Sequence, residues 1–530
     1  MTSVSRRDLL AGSALGAAAS LLPWSADEAA ASTPARGTSK AQVVVVGAGL
    51  AGISAARHLR AHGIDVVVLE ARARVGGRTL NHPIDSHHIV EVGGQWLGPD
   101  KNLPGLGLSD PANFPTDDPV TGQSHIWRLA KAVGVARYPT YNTGKYIDYR
   151  NGTTATYSGR IPLDTPTGAV EAAEAILAID RRCVTVPLEA PWHAPNAAEW
   201  DSMTVQSWMD HGDSFAGQPF AGLVTKDGRQ LVELAIESVF SAEPRDISML
   251  HALFYTHAAG SFGSLVNTDR GAQMYRLHGG SQLIALRAAK PFGDRLRLSS
   301  PVHRIEQTAH GVKVSGDRFE VSAQRVIVAI PPTLAGRIDY RPAMPALRDQ
   351  LTQRMPMGTV IKVQCVYDEP FWRADGLAGQ VTSDTGPVRL TFDNSPPDAT
   401  LRRGPGVLMG FIEGSEGRRA LTATHDERRR GVIQSFARYY GPKARNVVKY
   451  VEKSWADEQW TRGCYAGYFG PGGWTDFGRA LRKPVGRIHW AGTETATVWT
   501  GYMDGAVRSG ERAANEVRRA LRRRSGRHGR

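Results

Sequence analysis

The feature that most constrains this chain is a glycine turn set between two short apolar runs. Residues 41–72 read AQVVVVGAGLAGISAARHLRAHGIDVVVLEAR. Val43 to Val46 is a β-branched apolar run of the kind a strand buried on both faces requires. Gly47, Gly49 and Gly52 follow as G-x-G-x-x-G, and the stretch beginning at Leu50 and Ala51 reads as a helix. The first glycine permits a tight turn, the second lets backbone approach a pyrophosphate, and the third allows close packing of helix on strand. The helix N-terminus adds free N–H groups and a positive dipole end. The second run, DVVVLE, ends at Glu70, 18 residues after Gly52. A carboxylate there can accept both hydroxyls of an adenosine ribose and would repel a 2′-phosphate, which disfavours NADP. Strand, turn, helix, strand and terminal acid together predict a dinucleotide-binding domain.

The rest of the chain narrows the setting. Its 530 residues suffice for two to four domains, and 41% hydrophobic with 22% charged residues is an ordinary globular balance. The net charge of +13 is partly local: Arg518 to Arg530 contains seven arginines and no acid. Such a run can touch anionic partners, but a solvated, frayed basic tail over 518–530 is the expectation, with no nucleic-acid role. At the other end, SRRDLL (Ser5 to Leu10) precedes a short apolar stretch and ADEAAAS, the pattern of a twin-arginine export signal over 1–31. This implies an extracytoplasmic or secreted protein. The apolar stretch is too short for a bilayer core of about 30 Å, so no membrane span is expected. A protein folded before export needs no disulfides, and three cysteines cannot all pair. Neither CxxC nor HExxH occurs, and His87 and His88 read as a turn or strand edge, so no metal site is expected.

Several stretches carry a resemblance. The turn ARARVGGRT follows Glu70 directly and places Ala71, Arg72, Gly77 and Arg78 beside it; EVGGQWLGP brings Gly94, Gln95 and Trp96. Further on come GAQMYRLHGGSQLI, VIVAIPPTL, MGTVIKVQCVYDEPFW, RGCYAGYFGPG and IHWAGTETATVWTGYMDGAVRSGERAANEV. Over roughly residues 41–100 and 230–517 the chain resembles the flavin amine oxidase family, and its C-terminal motifs are similar to the monoamine oxidases. The resemblance implies FAD as cofactor. It implies flavin contacts from Gly492, Thr493, Glu494, Gly501, Tyr502, Met503 and Ala506, with Val302 and Trp455 completing the set. The GCY triplet implies a thioether from Cys464 to the flavin, although members of the wider family hold FAD without a bond and a small buried cysteine would fit the same loop. Tyr465 and Tyr502 match the pair of tyrosines that flank the substrate amine, with Trp499 packing nearby. Trp96 stands where monoamine oxidases have a tyrosine. Lys362 lies in an alternating strand, TVIKVQCVY, whose periodicity alone puts it on a solvated face with Val360 and Gln364; the resemblance instead implies a lysine that holds a water at the flavin and assists reaction with oxygen.

The fold implied is α/β (mixed α+β), a Rossmann-like FAD domain of the glutathione reductase type with a substrate domain of helices and a mixed or antiparallel sheet. The FAD domain is expected from segments 40–100, 265–335 and 445–517, and the substrate domain from 101–264 and 336–444, with an inserted loop over about 101–124. Order along the chain suggests Phe254, Tyr255, Leu265, Val266 and Gln273 as pocket lining. The implied reaction is oxidative deamination of a primary or secondary amine, hydride passing to flavin N5, with imine or aldehyde, ammonia or a smaller amine, and hydrogen peroxide as products. The alternatives are an L-amino acid oxidase of related fold, which needs a pocket arginine, an amine dehydrogenase with another acceptor, and a non-catalytic FAD-binding module. The sequence leaves the substrate and the oligomeric state open, a homodimer among the options.

Overall fold

The structure, a computed structural model, describes residues 37–101, 122–159, 166–399 and 404–525. Residues 1–31, whose pattern suggests an export signal, nearly all of the 101–124 insert and the last five residues of the tail lie outside them.

Val43–Val46 is the centre of a five-stranded parallel sheet. The strand order is Leu296–Arg297, Val66–Leu69, Val43–Val46, Arg325–Val328, Ile488–Trp490. Val43–Val46 and Val66–Leu69 are buried at every position and Arg325–Val328 at all but its first, as parallel strands covered on both faces must be. Helix Leu50–Arg60 lies on this sheet and packs along the long C-terminal helix Met503–Ser525. The third glycine of the turn is required sterically: a Cβ on Gly52 would stand 1.9 Å from the Gly47 carbonyl oxygen. A second five-stranded sheet follows the order Gly37–Lys40, Phe319–Ala323, Val312–Ser315, Arg304–Gln307, Asp339–Arg341.

The remaining sheet has seven strands. It runs Lys449–Ser454, Val360–Tyr367, Gly406–Glu413, Leu390–Asp393, Leu377–Ser383, Lys145–Arg150, Thr153–Tyr157. It is mixed, because Leu377–Ser383 and Lys145–Arg150 pair in parallel while the other pairs are antiparallel. Helices Pro166–Cys183, Lys226–Phe240, Met249–Ala259 and Phe262–Val266 form a separate layer around a core containing Trp200, Trp208, Phe254 and Trp474. Burying one such large apolar side chain stabilises the fold by about 1.5–3 kcal/mol.

Strand pairing redraws the expected segment limits. Lys449–Ser454 hydrogen-bonds to Val360–Tyr367, so it belongs with the seven-stranded sheet and not with the dinucleotide segments. Asp339–Arg341 pairs with Arg304–Gln307 and belongs on the other side. Lys145–Tyr157 contributes two strands to a stretch expected to be helical. The basic tail is also corrected as far as it is described. Helix Met503–Ser525 continues through Arg518, whose guanidinium donates to Asn515 (2.9 Å), and Leu521 packs against the core. A buried Val517 and the packed Leu521 on one face hold the turn that charge alone suggested would fray.

Candidate active site

One cavity of about 590 Å³ runs from the glycine turn into the space between the seven-stranded sheet and the helical layer. Its first half is walled by backbone. A Cβ on Gly49 would meet nothing nearer than the Gly77 Cα at 3.8 Å, and one on Gly94 would meet nothing within 4 Å. Both glycines line the cavity, so a strip of bare backbone faces it at the N-terminus of helix Leu50–Arg60. A pyrophosphate-bearing dinucleotide fits such a cradle, and a side chain would fill it. Glu70 closes the strip. It is buried, its Oε2 accepts the Ala48 N–H (2.7 Å), and its Oε1 accepts the Arg72 N–H (2.9 Å). Arg72 in turn donates to Glu458 (3.1 Å) and, through a short bond, to Thr461.

Arg78 anchors the next wall. Its guanidinium grips Glu494 bidentately at 2.6 and 3.1 Å and donates to the Tyr465 carbonyl at 2.9 Å. The turn after Glu70, the loop Arg462–Thr475 and the segment before the last helix are tied together at this point. Burial alone would raise the Glu494 carboxyl, but the Arg78 charge and hydrogen bonds prevail and hold it below its ordinary value.

Lys362 is not on a solvated face. Val360–Tyr367 is buried at every position, because it is hydrogen-bonded on both edges and covered on both faces, and Lys362 is only 3% exposed. Its Nζ donates to the Gly93 carbonyl (2.9 Å) and, through a short bond, to Gln95 Oε1. Gln95 donates to Asn394 (2.8 Å), and Asn394 donates to Gln364 (2.7 Å). The nearby carboxylate of Glu91 is committed to Arg276 at 2.7 Å. Burial therefore pushes the Lys362 ammonium down to about 7, with Glu91 opposing the shift. Lys362 Nζ stands 5.7 Å from the ring centres of both Trp96 and Phe411. Trp96 meets Phe392 edge-on at 4.8 Å, and Phe411 meets Tyr465 edge-on at 5.7 Å. The Tyr465 hydroxyl donates to Glu413 Oε1 (2.7 Å). Tyr502 packs edge-on to Trp499 at 5.1 Å and near Tyr255 at 6.1 Å. Cys464 is buried on the same wall, and burial pushes its thiol up to about 12.

The cavity brings together most of the residues singled out from sequence: Gly47, Gly49, Leu50, Ala51, Glu70, Arg72, Gly77, Arg78, Gly94, Gln95, Trp96, Trp455, Cys464, Gly492, Thr493, Gly501, Tyr502, Met503 and Ala506 on the cofactor side, Lys362 and Tyr465 beyond them, and Tyr255, Leu265, Val266 and Gln273 farther along. Five do not line it. Gly52 faces the Gly47 carbonyl, and Glu494 stands behind Arg78. Ala71 lies between two wall residues without reaching the cavity itself. Val302 packs into the core shared by the two five-stranded sheets. Phe254 is turned about 100° around the helix from its neighbour Tyr255 and meets Trp474 edge-on at 4.6 Å. Sequence reasoning missed Phe392, Phe411, Glu413 and Asn394; Phe411 and Glu413 come from a strand whose uniform burial leaves no periodic signal, and Phe392 and Asn394 from the end of a four-residue strand too short to show one.

The far half is apolar, with Ile176, Leu231, Leu234, Val239 and Leu265, and carries Tyr146, Tyr157, Thr268, Asp269 and Gln380 as polar groups. Among the described lining residues the arginines are Arg72 and Arg78, both engaged as above. No group of described residues could hold a metal ion, and no described helix is long and apolar enough to cross a membrane.

The family described as flavin containing amine oxidoreductase matches residues 50–518. The chain is 37% identical over 484 residues to a flavin-containing amine oxidase of Danio rerio, covering 90% of this chain and 86% of the relative. Two solved structures are similar in fold. Cyclohexylamine oxidase from Brevibacterium oxydans IH-35A has a TM-score of 0.81 at 30% identity, and wild-type putrescine oxidase bound to putrescine has 0.80 at 32%. Each comparison covers 91% of this chain and 99% of the other.

Proposed function

The chain belongs to the flavin-containing amine oxidoreductases, and from that premise we propose that it oxidises a primary or secondary amine with an apolar body, using the residues gathered around the long cavity and oxygen as the electron acceptor. The protein is an FAD-dependent amine oxidase. One observation carries the finer reading. The glycine cradle opens into a chamber where Lys362, Tyr465 and Tyr502 share a wall with apolar side chains.

FAD, when bound, would supply the acceptor for a hydride equivalent from the carbon bearing the nitrogen. Gly49, Gly94, the helix start at Leu50, Glu70 and Arg72 would hold it along the backbone strip. The chain's own part is placement and charge. The faces of Tyr465 and Tyr502 orient a neutral amine, and the surrounding apolar groups exclude water. Lys362, kept near neutrality by burial and held by Gly93 and Gln95, is poised to give or take a proton when oxygen is reduced. The imine released hydrolyses to an aldehyde or ketone and ammonia or a smaller amine.

An amino-acid substrate is disfavoured. Its carboxylate would call for a cation in the far half, and the described lining arginines are both committed in the cofactor half. Peroxide release from the aerobic, yellow protein tests this with aromatic and aliphatic monoamines, putrescine and L-amino acids. Turnover of amino acids alone would overturn the monoamine reading.

Cys464 tethers the flavin through a thioether in this reading, supported by its place on the cavity wall next to Tyr465. Acid-precipitated protein should stay yellow after washing, and the Cys464→Ala protein should release its FAD. White precipitate with an unmodified Cys464 peptide would refute the tether. The twin-arginine pair Arg6 and Arg7 directs export of the folded protein. Recovery of the Arg6→Lys/Arg7→Lys chain outside the cytoplasm at wild-type yield would refute that.

A further inference from the structure

Glu413 ends the buried strand Gly406–Glu413 directly behind the aromatic wall. It is 7% exposed, and two hydroxyls donate into one of its oxygens: Tyr465 at 2.7 Å and Ser241 at 3.1 Å. Ser241 caps helix Lys226–Phe240, so this one carboxylate joins the sheet, the helical layer and the loop Arg462–Thr475. The charged groups around it are otherwise engaged. Arg389 makes a short ion pair with Glu237 of the same helix. Glu243 accepts from Ser415 (2.5 Å) and Arg418 (2.9 Å). Among the described residues Glu413 makes no salt bridge. A carboxylate placed in a buried site without a counter-ion costs several kcal/mol in general. A leucine or glutamine would fill the same space more cheaply if support were its only duty.

We propose that Glu413 is a positioning residue for amine oxidation: by accepting the Tyr465 hydroxyl it fixes that ring in the wall and, when ionised, enriches the ring with electron density toward the substrate nitrogen. This deepens the amine oxidase reading and rests on it. Burial raises the Glu413 carboxyl to about 7, against the opposing pull of the Tyr465 and Ser241 hydrogen bonds and the Arg389 charge. The ionised, electron-donating form is therefore present above neutrality and lost below it. Lys362 titrates in the same window on the neighbouring strand, where it pairs with Phe411 while Glu413 pairs with Val360.

The test separates the two. Anaerobic flavin reduction by one amine is followed across neutral pH in wild-type, Glu413→Gln, Glu413→Asp and Lys362→Met holoenzymes. Wild type should show a rate that rises with pH through about 7. Glu413→Gln should lose that inflection and fall about tenfold, the rate equivalent of one hydrogen bond to a charged group. Glu413→Asp should restore the inflection at a reduced rate, and Lys362→Met should retain it. Tyr465→Phe should add little to Glu413→Gln, because each removes the same bond. In the flavin-free protein, infrared difference spectra should show a carboxylic acid band that titrates near neutrality and vanishes in Glu413→Gln. An inflection that survives in Glu413→Gln, or disappears only in Lys362→Met, overturns the proposal. A wild-type flavin that no amine reduces would instead overturn the amine oxidase reading, and this role with it.

Discussion

The two halves of the cavity handle charge in opposite ways. In the cofactor half each ionised side chain is closed into a pair or a set of backbone bonds: Arg78 with Glu494, Arg72 with Glu458, Glu70 with the N–H groups of Ala48 and Arg72. In the reacting half Lys362 and Glu413 are buried with only neutral partners, and both are drawn to about 7 from opposite directions. Permanent charge grips a permanent guest. A group left without a counter-ion can titrate near neutral pH, whereas a paired charge is locked in one state.

The comparison breaks most visibly at the cradle. Gly49→Val puts a branched side chain into the strip of open backbone, and we expect nearly complete loss of bound flavin, read from the visible spectrum of the purified protein. Normal loading would mean that the closed-charge half is not the cofactor half. Next is Glu494→Ala, which leaves the half-buried Arg78 without its partner. Breaking a fully buried pair costs about 3–5 kcal/mol, and the urea midpoint should fall by part of that because solvent reaches Arg78. A loss no larger than that of Glu413→Gln would erase the distinction between the halves.

Lys362→Met should sharpen it. Flavin loading should persist, while reoxidation by oxygen slows about tenfold or more and reduction by amine changes less, as separated by stopped flow. The same variant carries a pH signature. The folded-state value of Lys362 is depressed, so its contribution to stability is full above the unfolded value of roughly 10.4 and is lost as pH falls to about 7. Urea titrations of the flavin-free protein should therefore show a rise in stability across that window that is flatter in Lys362→Met. Equal slopes would return Lys362 to an ordinary solvated lysine. The smallest effect is expected at Gln380, which donates to Asn142 (2.6 Å) and Thr268 (3.0 Å) on the far wall. Gln380→Ala should shift KM roughly two- to fivefold with kcat nearly unchanged. A large fall in kcat would place it in the reacting region.

The cofactor half was legible in the sequence because its work is done by glycines and by acids at the ends of strands. Gly47, Gly49, Gly52 and Glu70 each have a steric or electrostatic reason to stand at their spacing, and the reason shows in the letters. The substrate half was legible through the family resemblance, which implied Lys362, Tyr465 and Tyr502, and not through the residue pattern itself. Lys362 sits in an alternating pattern that reads as half-solvated, and only the second covering layer makes both faces interior. Phe411 and Glu413 lie in a strand buried at every position, where period-two reading carries no information. Phe254 and Tyr255 are neighbours in sequence but only Tyr255 reaches the cavity, so order along the chain could name the helix but not which of the two lines it.

The parallel sheet at the centre joins strands from the two ends of the chain: Val43–Val46 and Ile488–Trp490 both flank Arg325–Val328. The cradle inherits this. Its near wall begins at Gly47 and its far wall at Gly492, 445 residues later. At the usual pace of synthesis roughly 20–90 s separates the emergence of the two walls from the ribosome. For that interval the glycine turn faces the earlier lining at Gly77 and Ile330 but lacks the part contributed by Gly492 to Ala506. A chain stopped before the last helix would therefore keep its best-marked motif intact and leave the cavity open on that side.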